Sequence, residues 1–116
     1  MGQIRVKVFF ENFNSLFLIV DGYYAGVAGG VCKDETHVIK TREECEKALL
    51  KLGYQISGRS FWTGRTSTMP SGCSIRNGGD KRPYFEKSTY YKGKGRKDLI
   101  PICNGNPIPD FGNTKI

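Results

Sequence analysis

The side chains able to do chemistry in this 116-residue sequence fall into four sets: four cysteines, one histidine, a run of cations interleaved with tyrosines, and two glycine-rich stretches. Cys32, Cys45, Cys73 and Cys103 are separated by 13, 28 and 30 positions. A structural zinc site draws its ligands in close pairs, roughly two to four residues apart. No such pair is present, so no metal and no cofactor is expected. An even cysteine count in a short, turn-rich chain reads instead as two disulfides, with three alternative pairings. Free buried thiols in a reducing compartment are the competing reading.

His37 is the sole histidine. A small hydrolase of ribonuclease type would set it beside a carboxylate such as Glu86 and a cation such as Arg76. Nothing in the spacing demands that trio, and a surface histidine with ordinary hydrogen bonds accounts for it. Gly78-Gly79 and Gly93-Lys94-Gly95 offer backbone amides to a phosphate, but neither matches a phosphate-binding loop and both serve as turns. The chain is read as non-enzymatic.

Charge carries more information. Ten basic residues lie between Arg59 and Lys97 against Asp80 and Glu86, a net of +8, whereas the rest of the chain has eight basic and nine acidic residues. The overall +7 therefore belongs to this one stretch. A one-sided basic surface attracts and steers anions. Arg76, Lys81, Arg82, Lys87, Lys92, Lys94, Arg96 and Lys97 are the candidate anion-binding residues. Tyr84, Tyr90 and Tyr91 lie among them as candidate aromatic contacts, because rings between cations stack on bases or sugars while the cations hold phosphate or sulfate. A merely solvated cationic face is the plain alternative.

These residues need a scaffold. Thr41-Arg42-Glu43-Glu44 is a capping box, in which the Thr41 hydroxyl meets the Glu44 amide and the Glu44 side chain reaches back. Cys45, Ala48, Leu49 and Leu52 follow on one helical stripe, and Gly53 stops the helix. Strands are predicted at Tyr54–Ser57, Ser60–Thr63, Cys73–Arg76, Pro83–Glu86 and Leu99–Cys103, the last held at a sheet edge by Pro101. Asn77-Gly78-Gly79-Asp80 is a hairpin turn. Such a thin core benefits from disulfides. The nested pairing, Cys45 with Cys73 and Cys32 with Cys103, is preferred because it would pin the helix stripe to the sheet and tie the ends of the unit.

Residues 1–31 have two readings. Arg5 and Lys7, then Ser15–Val20, then Ala25 to Gly30 follow the order of a secretory signal, although Glu11 and Asp21 interrupt it. Alternatively, Ile4, Val6, Val8 and Phe10 alternate with polar residues as one strand of a hairpin whose partner is Phe17–Val20. No apolar run approaches the ~20 residues of a membrane-spanning helix. Residues 32–103 form the cysteine-bounded domain, and 104–116 read as a loose tail.

The order Thr41-x-x-Glu44-Cys45, Pro70-x-Gly72-Cys73-Ser74, Tyr84-Phe85 and Ile100-Pro101-Ile102-Cys103 resembles uncharacterised cysteine-containing modules of aquatic invertebrates and protists. The resemblance covers residues 32–103 and implies secretion. It implies no particular chemistry.

The sequence thus predicts an α+β fold, a small disulfide-stapled domain with one short helix packed on a small, mostly antiparallel sheet. The expected role is an extracellular or secretory-lumen binding or assembly module whose basic face engages a sulfated glycan or an acidic protein surface. A nucleic-acid-binding domain and a small hydrolase are the alternatives. Reduced thiols would favour the former alternative, and loss of an activity on His37→Ala the latter.

Overall fold

Alternating apolar residues near the start of the chain form strands, and the computed structural model describes residues 6–12, 15–88 and 93–105. Strand β1 (Val6–Asn12) pairs antiparallel with β2 (Ser15–Val20), setting Val6 opposite Val20 and Phe9 opposite Phe17. This is the hairpin reading of the segment. Asp21 and Gly22, with φ of 53° and 90°, turn the chain into β3 (Tyr23–Ala25). Aspartate and glycine are suited to such left-handed positions.

Helix α1 (Arg42–Lys51) begins where the capping box places it, with the Thr41 hydroxyl accepting from the Glu44 amide at 3.1 Å. The reciprocal half of the box is corrected by the structure. The Glu44 carboxylate turns to the sheet instead, accepting from the Tyr23 hydroxyl at 3.0 Å and the Asn104 side-chain amide at 3.4 Å. At the other end Gly53 takes φ 90°, its amide meets the Leu50 carbonyl, and the Tyr54 amide meets that of Leu49. These two bonds satisfy carbonyls that the helix leaves open. The stripe residues Cys45, Ala48 and Leu49 are fully buried.

Residues 54–57 form no strand, contrary to the sequence expectation. The Tyr54 amide is used by the helix terminus, and the Arg59 amide closes a turn on the Ile56 carbonyl. Strands β4 (Trp62–Gly64), β5 (Gly72–Arg76), β6 (Pro83–Glu86) and β7 (Leu99–Asn104) complete a sheet of seven strands among the described residues, in the order β1-β2-β3-β7-β5-β6-β4. Every pairing is antiparallel except β4 with β6.

β7 is therefore central, not an edge strand, although it contains Pro101. The Pro101 carbonyl accepts from the Gly26 amide at 2.8 Å, on the side where β3 has already ended. A residue's amide and carbonyl point to the same neighbour in an antiparallel ladder, so the missing amide faces a strand end. A side chain at Gly26 would come within 2.9 Å of the proline ring. Glycine makes room for it there.

The helix covers one sheet face, where Tyr23, Ile75, Phe85 and Ile102 pack with Cys45 and Leu49. On the other face Tyr24 packs with Cys32 and Cys103, while Met69 and Leu99 pack with Tyr84. Two disulfides lock these layers in the nested pairing. Cys45–Cys73 joins α1 to β5, and Cys32–Cys103 joins the segment after β3 to β7, with Cα separations of 5.3 and 5.8 Å. The sheet runs unbroken across residue 32, so a boundary at Cys32 divides one hydrogen-bonded unit, and Tyr23 and Tyr24 belong to its core. The tail from residue 106 onward lies outside the described residues.

Candidate functional site

The β5–β6 connection is dictated by its glycines. Gly78 and Gly79 take φ of 95° and 58°, Lys81 takes 55°, and the Arg76 amide reaches the Arg82 carbonyl at 2.9 Å. The next amide, that of Asn77, points to the opposite side of β5, toward β7, and donates to the Asp98 carbonyl at 2.8 Å. Asp98 ends the segment that leads into β7, where the Leu99 amide closes a turn on the Arg96 carbonyl at 2.9 Å. Three backbone hydrogen bonds thus bring Arg76, Lys81, Arg82, Arg96 and Lys97 to one end of the sheet.

The side chains there are ordered by a carboxylate and a ring. Arg96 grips Asp98 with two parallel hydrogen bonds of 2.7 and 2.9 Å. The hydrogen bond from Arg96 is the main cause that holds the Asp98 carboxyl below the usual carboxylate range, and the charges of Arg96 and Arg76 add to it. The same bond raises the Arg96 guanidinium above its ordinary value. Arg82 donates from Nε to the Ser60 carbonyl at 3.0 Å and lies 5.6 Å from the Tyr84 ring centroid. Among the described residues only two ion pairs form, Arg96 with Asp98 and Lys51 with Asp21. Among the described residues Arg76, Lys81, Arg82 and Lys97 form no ion pair of their own, although the charge of Arg76 also acts on Asp98.

Other predicted residues lie elsewhere. The Lys87 amide donates to the Gly64 carbonyl and the Lys94 amide to that of Met69, which puts both backbones toward the opposite end of β5, near Ser71 and Gly72. Lys92, Tyr90 and Tyr91 lie outside the described residues. Tyr84 is corrected from a ligand contact to a packing residue. It is only 6% exposed, because its ring fills the space among Met69, Leu99 and Trp62. It can support Arg82 from beneath but offers no free face for stacking.

The glycines around Lys94 also have a packing cause. A Cβ at Gly93 would collide with the Met69 carbonyl oxygen and the Ser71 amide, and one at Gly95 with the Gly29 carbonyl oxygen. They let residues 93–98 lie backbone to backbone against two other segments.

The hydrolase trio does not assemble. His37 is engaged through Nδ1 with the Tyr24 hydroxyl at 2.8 Å. Glu86 is buried and accepts from the Thr66 amide and from the Ser88 amide and hydroxyl. Glu86 pairs with Gly72 at one end of β5, whereas Arg76 stands at the other end, opposite Leu99. That separation is about 13 Å along a strand. Among the described residues no group of three or more His, Cys, Asp or Glu is placed to hold a metal.

Sequence reasoning missed Asp98 and Asn77. The adjacency of Arg96, Lys97 and Asp98 was the available signal for the first. The second is a backbone contact, for which a sequence carries none. Compared with protein-family models, curated proteins and solved structures, the chain matches none.

Proposed function

We propose that this protein is a non-enzymatic binding module of an extracellular or secretory compartment, which takes a sulfated glycan chain at the basic end of its sheet. The observation that carries the reading is the gathering of Arg76, Lys81, Arg82, Arg96 and Lys97 by the Arg76–Arg82 and Asn77–Asp98 backbone bonds. Backbones held on strands and a tight turn keep these cations close together, which favours a repeating anionic chain. The Arg82 guanidinium, braced by Ser60 and Tyr84, presents a planar donor suited to sulfate.

Two disulfides support an oxidising compartment, and no helix among the described residues is long and apolar enough to cross a membrane. A sulfated glycan is preferred to nucleic acid because Tyr84, the aromatic residue within the cluster, is buried and gives a base nothing to stack upon.

The test is heparin-affinity chromatography of two variants with equal charge loss. Arg76→Gln/Lys81→Gln/Lys97→Gln removes charge from the cluster. Lys33→Gln/Lys47→Gln/Lys87→Gln removes the same charge from exposed sites elsewhere. The first should elute at clearly lower salt than the second. Equal elution would reduce the basic stretch to a solvated surface.

A further inference from the structure

β1 is an edge strand that pairs only with β2 among the described residues, leaving its outer backbone groups without a strand. The β1–β2 hairpin is also lightly joined to the rest of the sheet, since β2 meets β3 through the single register pair Val20 with Tyr23. A two-stranded ribbon with so little lateral support is marginal in water, and an open edge is a template for another strand.

The sequence of that edge is self-complementary. β1 reads Val6-Lys7-Val8-Phe9-Phe10-Glu11-Asn12. Lys7 and Glu11 are placed symmetrically about Phe9, two residues to either side. In the hairpin register Lys7 stands opposite Ile19, and the register shifts between Phe10 and Asn12. When two copies of β1 align antiparallel with Phe9 opposite Phe9, Lys7 of each copy stands opposite Glu11 of the other. Val8 then stands opposite Phe10. Registers centred on Lys7 or on Glu11 would oppose like charges, which is unfavourable in a cross-strand pair.

We propose that the protein forms a symmetric dimer by antiparallel pairing of β1 with β1 of a second copy, in the register centred on Phe9. Sedimentation of the full chain over a range of concentrations tests this. The unsubstituted protein should dimerise. Lys7→Glu alone, or Glu11→Lys alone, sets like charges opposite each other twice and should weaken dimerisation by about tenfold or more. The double exchange Lys7→Glu/Glu11→Lys restores both pairs and should return dimerisation to within about threefold of the original. Circular dichroism of each variant checks that the fold is retained. A monomer at every concentration would overturn the proposal. So would a dimer indifferent to the single exchanges, or one that the double exchange fails to rescue.

Discussion

Asp98 takes two parallel hydrogen bonds from the guanidinium of Arg96, at 2.7 and 2.9 Å, while its backbone carbonyl receives the amide of Asn77. One residue thereby both builds the basic end, through its backbone, and holds down part of its charge, through its side chain. The two roles can be separated by substitution.

Asp98→Asn keeps the backbone bond and removes the carboxylate. Affinity for a heparin oligosaccharide should rise by about twofold to fivefold, the range expected when one exposed charge pair is released. The carboxyl is held low, so whatever its pairing contributes to stability is intact at neutral pH. That contribution is lost only as pH falls through the lowered value. Acid titration of the variant should lack the step contributed by this carboxylate.

Tyr23 gives the opposite pH signature. Burial, reinforced by the charge and hydrogen bond of Glu44, pushes its hydroxyl up to about 12. The folded state thus holds this proton more tightly than the unfolded chain. The resulting stability is complete below the ordinary tyrosine range of about 10 and is lost as pH rises through the folded value. Alkaline unfolding should steepen in that window, and Tyr23→Phe should flatten it. An unchanged profile would mean that another group governs the alkaline limb.

Thr41→Ala removes the acceptor for the Glu44 amide and should cost about 1 kcal/mol. For a domain of this size that is a drop of about 4 °C in the thermal midpoint. Glu44→Gln should leave the cap itself intact, because the Glu44 carboxylate faces Tyr23 and Asn104 and the cap uses its amide.

Gly95→Ala should destabilise by about 1–3 kcal/mol, the usual cost of forcing atoms into a filled space. Differential scanning calorimetry reads this directly. A neutral result would return Gly93-Lys94-Gly95 to the status of an ordinary turn.

Much of this scaffold was legible in the sequence because its signals are local. The Thr41 cap, the Gly53 stop and the turn at residues 77–80 each depend on a few neighbouring residues, and the helical stripe through Ala48 and Leu49 places Cys45 against the core. The missed features depend on distant partners. Pro101 sits in a central strand only because β3 ends at Ala25, and Tyr84 is buried only because Met69, Leu99 and Trp62 converge on it. The one-sided charge was visible at once. Its division into a cluster at the Arg76 end and lysines toward the Gly72 end follows from how the segments fold back along β5, which no local pattern encodes.

The most direct test of the central claim is the salt dependence of binding to a heparin oligosaccharide, measured by titration with the cluster intact. Several converging cations release counterions together, so affinity should fall on the order of a hundredfold between about 50 and 200 mM salt. Arg76→Gln/Lys81→Gln/Lys97→Gln should flatten that slope as well as weaken binding. No binding at low salt, or a slope that the triple substitution leaves unchanged, would contradict the account.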